Sequence, residues 1–265
     1  MSLETRAGYP VFARDLGHGA RTGLMLHCSL AHGGAWRGLA KAFEAEFTFA
    51  APDFLSHGRS AFWDGQGSYH DACTEVAKSF LGDEPVDIIG HSFGATVALR
   101  LALEAPALVR SLVLIEPVFF AVALEDDPEF VSGVEAFRTL LAEEGRYTAT
   151  REFLGEWGGG LPWDMMPKDT QDDMASRIEV IPDAAPALYG DTAGMLVEGR
   201  LQSLQMPVLL VRGDTSPNVI KTINAGLARR IPGAQSAVIA GAGHMAPISH
   251  AKDCAGEMRR FWALS

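Results

Sequence analysis

A serine lies between two glycines in Gly90-His91-Ser92-Phe93-Gly94, after the apolar run Val86 to Ile89 and before the Ala/Leu-rich stretch Ala95 to Ala105. A strand that turns this sharply into a helix strains the residue at the corner and pushes its side chain outward. Glycines flank such a corner because neighbouring backbone passes where a Cβ would clash. The Ser92 hydroxyl is therefore expected at the mouth of a sheet, close to the positive end of the following helix dipole. A hydroxyl is a poor nucleophile at neutral pH, so it needs a base, and the base needs an orienting acid. His244 fits the base: it stands in the Gly-rich loop Gly241 to Pro247, after the last strand-like segment. His91 is locked beside the nucleophile, and His27 and His57 sit in loops that shape the backbone. The five-residue pattern is short enough to arise by chance at a structural turn. The strand before it, the helix after it and the downstream histidine are what favour a nucleophile.

These residues need a scaffold, and the chain supplies alternating strand-like and helix-like segments. Tyr9 to Arg14 is β-prone. Strands are expected at Thr22 to Leu26, Phe47 to Ala51, Val86 to Ile89, Ser111 to Ile115, Pro207 to Val211 and Gln235 to Ala240, with Thr22 to Leu26 and Ser111 to Ile115 reading as buried. Helices are expected at Trp36 to Phe47, Tyr69 to Leu81, Ala95 to Ala105, Asn218 to Arg230 and His250 to Trp262. Such alternation predicts an α/β fold with a mostly parallel central sheet and helices on both faces. From Val118 to Gly199 strand signals vanish and short helical pieces appear, broken by Gly158-Gly159-Gly160, Pro162, Pro167, Pro182 and Pro186. The expected organisation is a core made of residues 1–117 and 200–265, with residues 118–199 inserted as a helical cap.

Composition narrows the function classes. The 265 residues carry a net charge of −11, which argues against nucleic acid or an anionic membrane as a partner. The three cysteines, Cys28, Cys73 and Cys254, are an odd count without metal-ligand spacing, and no His/Asp/Glu group has zinc spacing. A reducing compartment, no metal and no cofactor are expected. With no signal-like start and no apolar run of membrane-spanning length, the expected location is cytoplasmic. The expected partner is a small-molecule substrate, and a homodimer is compatible with the sequence.

Gly90-His-Ser-Phe-Gly94, the loop Pro52-Asp53…His57-Gly58-Arg59-Ser60 and Gly243-His244 together resemble the α/β-hydrolase fold superfamily, of the capped single-domain serine hydrolase type. The resemblance implies an acid between Ser92 and His244 in chain order. Many members carry an aspartate three residues after the glycine that ends the strand at Val211; that position is Ser216 here, and Asp214 lies one residue after Gly213. Other members place the acid at the end of the strand that follows the nucleophile helix, which is Glu116 here. Burying a carboxylate unpaired is costly, and an imidazole would partner it, so Glu116 is favoured and Asp214 is the alternative.

An oxyanion hole of two backbone N–H groups is implied too. One is that of Phe93 and the other that of Ser29, in a loop where His27-Cys28 replaces the usual His-Gly. Asp53, His57 and Arg59 are expected to brace the nucleophile turn. Leu30, Phe119, Trp157, Trp163 and Met245 are candidate pocket residues, the competing role for each being plain packing. The expected activity is hydrolysis of a small, mainly apolar ester, lactone or related acyl substrate through an acyl-enzyme. The alternatives are a non-hydrolytic enzyme on the same scaffold (a cofactor-free oxygenase, a lyase or a haloperoxidase-like enzyme) and a ligand-binding protein with a vestigial triad.

Overall fold

The computed structural model describes residues 3–158 and 161–263. Eight strands run β1 Leu3–Arg6, β2 Tyr9–Gly17, β3 Arg21–Leu26, β4 Phe47–Pro52, β5 Val86–His91, β6 Val109–Ile115, β7 Val208–Gly213 and β8 Gln235–Ile239. They form one sheet in the order β1-β2-β4-β3-β5-β6-β7-β8. β1 and β2 pair antiparallel at one edge, and every pairing from β4 to β8 is parallel. The chain winds outward from β3 to β4 in one direction and from β5 to β8 in the other. The crevice beyond the carboxyl ends of β3 and β5 is thus a topological switch point, where α/β sheets hold their ligands.

The inner strands are buried on both faces, and their side chains alternate between two cores. On β5 and β6, Ile88, Leu112 and Leu114 enter one core, while Ile89, Val113 and Ile115 enter the other. A period of two on a sheet covered on both sides produces such continuous apolar runs. The second core is closed by rings: Phe47 and Phe49 stack at 4.7 Å, with Phe43 and Trp262 against them.

The helices are α1 Arg37–Ala40, α2 Tyr69–Lys78, α3 Phe93–Glu104, α4 Phe120–Asp126, α5 Val134–Trp157, α6 Lys168–Arg177, α7 Val180–Gly190, α8 Asn218–Arg230, α9 Ala246–Ser249 and α10 Ala251–Trp262. Two elements depart from the sequence expectation. β1 is unanticipated because its side chains are mostly exposed and show no apolar alternation. The helix expected over Trp36 to Phe47 is a single α-turn between 3₁₀ turns at Gly33–Trp36 and Lys41–Phe43. Its apolar face is nonetheless the expected one, with Trp36, Leu39, Ala40 and Phe43 buried. Gly33, Gly34 and Gly38 weaken helix propensity here, so the backbone tightens into 3₁₀ turns.

Between β6 and β7 the described residues form α4 to α7 and no strand. α5 breaks at Gly145 (φ 80°, ψ 174°), a conformation in which glycine carries no Cβ penalty. Part of the predicted glycine break, Gly159 and Gly160, lies outside the described residues. No helix among the described residues is long and apolar enough to cross a membrane.

Candidate active site

Parallel strands deliver their carboxyl ends to one edge of the sheet, and the candidate residues come from five of those ends. Ser92 follows β5, Glu116 follows β6, and Gly213 ends β7. The loop after β8 carries His244, and the loop after β3 carries Ser29. Ser92 takes φ 55° and ψ −119°, a strained corner for a residue with a side chain. Two close approaches make the corner feasible. A Cβ on Gly90 would lie 2.4 Å from the Gly94 carbonyl oxygen, and one on Gly94 would lie 2.2 Å from that of Leu26. Only glycine lets the β5 end, the start of α3 and β3 pack this closely.

The Ser92 hydroxyl lies 2.9 Å from His244 Nε2, and His244 Nδ1 lies 3.0 Å from Glu116 Oε2. Glu116 is fully buried, at φ 52°. Its other oxygen accepts from the Gly213 N–H and, at 2.7 Å, from the Ser216 hydroxyl. With Nδ1–H donating to the carboxylate, Nε2 is left with the lone pair that faces the serine proton. Ser216, the position where many relatives of this fold carry the acid, thus contributes a hydroxyl that steadies the glutamate. Asp214 is elsewhere: it is exposed, and its carboxylate accepts from the Gly241 N–H at 2.7 Å. The structure therefore brings Glu116 to His244 and does not bring Asp214 there.

A residue that sequence reasoning assigned no role is His91. Its Nε2–H donates to the His244 carbonyl at 2.8 Å, holding the backbone of the candidate base. Burial, and after it the neighbouring His244, lower the His91 imidazole to about 3, so it stays neutral. Its position inside the Gly-x-Ser-x-Gly motif was the available signal, but its contact comes from 153 residues away in sequence.

Ser29 lines the cavity with Ser92 and His244. Phe93 puts its backbone in the first turn of α3 and its ring into the core, against Phe54, Tyr69 and His70. The loop expected to brace the nucleophile turn packs Phe54 on Phe93 and also holds the loop after β3 by hydrogen bonds. Asp53 accepts from the Gly33 and Arg59 N–H groups and pairs with Arg14, and His57 accepts from the Leu30 N–H. Cys28 is buried, and burial pushes its thiol up to about 12, which leaves it a packing group. Among the described residues no group of three or more His, Cys, Asp or Glu could hold a metal ion.

A cavity of about 690 Å³ stands over Ser92, walled mainly by α5 and α7, with Phe120 of α4, Phe130 and Val131 of the segment before α5, and Val219 of α8. Of the candidate pocket residues, Trp157 is in this wall, its ring 4.9 Å from that of His244 and edge-on. The other four are not. Phe119 and Leu30 are buried in the core, Met245 caps α9, and Trp163 packs on Tyr147. Phe120 lines the cavity where Phe119 does not, because the first turn of α4 decides which face looks down. Phe130, Phe137, Phe153 and Tyr189 complete the aromatic wall. Burial, and then the Glu156 carboxylate, push the Tyr189 phenol up, so it stays protonated.

A mostly parallel sheet with a serine corner, a loop histidine and a buried carboxylate at one edge is the α/β-hydrolase arrangement. The chain belongs to the alpha/beta hydrolase family, whose model matches residues 24–257. It is 42% identical over 105 residues to a lipase, LipV, of Mycobacterium tuberculosis, a match spanning 38% of this chain and 38% of that one. It is 29% identical over 224 residues to a pimeloyl-[acyl-carrier protein] methyl ester esterase of Neisseria meningitidis, covering 82% of this chain and 69% of that one. Its fold is similar to that of a bromoperoxidase from Bacillus anthracis, with a TM-score of 0.78, 19% identity and 98% of both chains covered.

Proposed function

We propose that the protein is a serine hydrolase of the esterase type, acting on small, mainly apolar esters, lactones or related acyl compounds. The observation that carries this reading is the continuous hydrogen-bonded line from Ser92 through His244 to Glu116 at the floor of a cavity. Relatives named as a lipase and a methyl ester esterase support the same class. Ser92 attacks the acyl carbon, and its proton passes to His244 Nε2. Glu116 stabilises the imidazolium and keeps the ring aligned. The Phe93 and Ser29 N–H groups receive the charge that develops on the acyl oxygen. The imidazolium protonates the leaving alcohol, and a water deprotonated by His244 then attacks the acyl-enzyme to release the acid.

The cavity supports the substrate class. Phe120, Phe130, Phe137, Phe153, Trp157 and Leu188 offer apolar surface, and the charged side chains on the described lining, Glu152 and Glu156, are both acidic. An uncharged acyl chain gains from such a wall, whereas a carboxylate would meet like charge. In this reading residues 118–199 act as a cap that sets the shape of the acyl site.

A series of p-nitrophenyl esters from acetate to octanoate tests the proposal. Hydrolysis that rises with chain length and falls by about a thousandfold or more in Ser92→Ala is expected. Hydrolysis that survives the loss of Ser92 would mean that His244 activates water directly, and would rule out the acyl-enzyme.

A further inference from the structure

His57 and His27 join two loops by a reciprocal pair of contacts. His57 Nε2 accepts the Leu30 N–H at 2.9 Å, and His27 Nε2 accepts the Phe54 N–H at 2.9 Å. A backbone N–H can only donate, so each Nε2 carries a lone pair and each Nδ1 carries the proton. Those protons go to carbonyls of each ring's own loop: His57 Nδ1 to Leu55 at 2.9 Å and His27 Nδ1 to Cys28 at 2.7 Å. The two rings meet edge-on at 5.1 Å. Leu30 sits at φ 59°, which a leucine does not adopt by preference, so its turn has to be held from outside. Ser29, the residue before it, faces the cavity beside Ser92.

We propose that His57 is a positioning residue for the oxyanion site: by accepting the Leu30 N–H it fixes the turn at 28–31 and so aims the Ser29 N–H at the oxygen that gains charge when Ser92 attacks. The inference rests on the acyl-enzyme reading above. His57 is itself held in place. The Tyr69 hydroxyl, which donates to Leu55 O, lies 3.2 Å from Nδ1. From α6, Arg177 donates to the carbonyls of Ser56 and Gly58 on either side of the histidine, and pairs with Asp173. Arg177, Asp173, Asp53, Tyr69 and His27 are the titratable or charged groups around the ring. Burial keeps the imidazole down to about 4, so it remains an acceptor at neutral pH.

The test compares His57→Gln with His57→Asn. Glutamine carries its amide oxygen at about the position of Nε2 and can still accept from Leu30; asparagine is one methylene shorter and cannot. With p-nitrophenyl butyrate, the glutamine variant is expected to keep kcat within about fivefold of the parent, and the asparagine variant to lose about thirtyfold or more while KM moves less than about threefold. Binding of n-butylboronic acid, which forms a tetrahedral adduct on the serine, should weaken in step with kcat. Equal kcat in two folded variants, or a change confined to KM, overturns the proposal. If the asparagine variant does not fold, His57→Ser takes its place: boronate affinity at least about tenfold weaker than that of the glutamine variant supports the role, and any smaller difference overturns it. Ser92→Ala separates the two levels. If it stays active, the acyl-enzyme reading fails; if it is inactive while the His57 variants do not differ, only the positioning role fails.

Discussion

Ser92 and Glu116 share an unusual property: both are non-glycine residues at positive φ, 55° and 52°, and both immediately follow the end of a central strand. Strained backbone of this kind, worth roughly 1–3 kcal/mol per residue, persists where the surrounding structure over-determines it. Each is pinned by the next strand, Ser92 N–H to Ile115 O at 2.9 Å and Glu116 N–H to Val211 O at 2.8 Å. In the proposed mechanism Glu116→Gln should lower kcat by roughly a thousandfold or more, because an amide cannot stabilise the imidazolium and favours the wrong tautomer. Asp214→Asn should leave kcat within about twofold, since its carboxylate only holds the Gly241 turn. Steady-state kinetics of the two variants side by side check both. Ser92 and His244 were legible as candidates because motif and chain order constrain them. Glu116 was favoured on the cost of burying a lone carboxylate, and that same logic explains the Gly213 and Ser216 donors on its second oxygen. Phe119, a candidate for the cavity wall with packing as its competing role, packs in the core while its neighbour Phe120 lines the cavity, a one-residue difference of phase that composition cannot resolve.

Strands were the most legible elements, because β5, β6 and β7 are buried over most of their length and read as mainly apolar runs. The helical excursion was visible as an excursion, but its internal geometry was not: α5 runs from Val134 to Trp157 across a break at Gly145 that no apolar period announces. One polar residue interrupts the apolar run of β5 at the end far from Ser92. Asp87, fully buried, accepts from Arg21 and Arg110 at 2.7 Å each and from the Ser111 hydroxyl. Removing it leaves two guanidinium groups without their partner, and both are partly exposed, which limits the loss. Asp87→Ala should therefore lower stability by about 2 kcal/mol while leaving kcat unchanged, as read by urea unfolding and ester hydrolysis on the same sample. A loss of activity in the folded variant would mean that the two ends of β5 are coupled.

Across the whole molecule, the buried histidines tie stability to pH. Burial is the first cause in each case, holding His57 at about 4 and His70 and His91 at about 3, against 6.5 for an unperturbed imidazole. Below pH 6.5 the unfolded chain takes up protons that the folded chain refuses, so unfolding becomes easier as pH falls. The stabilisation is complete above pH 6.5 and is lost progressively towards pH 4 and 3, by at most about 1.4 kcal/mol per pH unit for each histidine. Urea midpoints measured from pH 7.5 to 4.5 should fall steadily below 6.5, and a flat profile would contradict neutral burial of these rings. The net charge of −11 and the acidic side chains on the cavity lining belong to the same scale: both disfavour anionic ligands. Whether Ser92 is an activated nucleophile underlies the whole functional account. Intact mass and peptide mapping after treatment with a fluorophosphonate test it most directly. A single adduct on Ser92, absent in Ser92→Ala and slowed in His244→Ala, is the predicted result. A folded protein that forms no adduct, or forms it on another residue, would contradict the account.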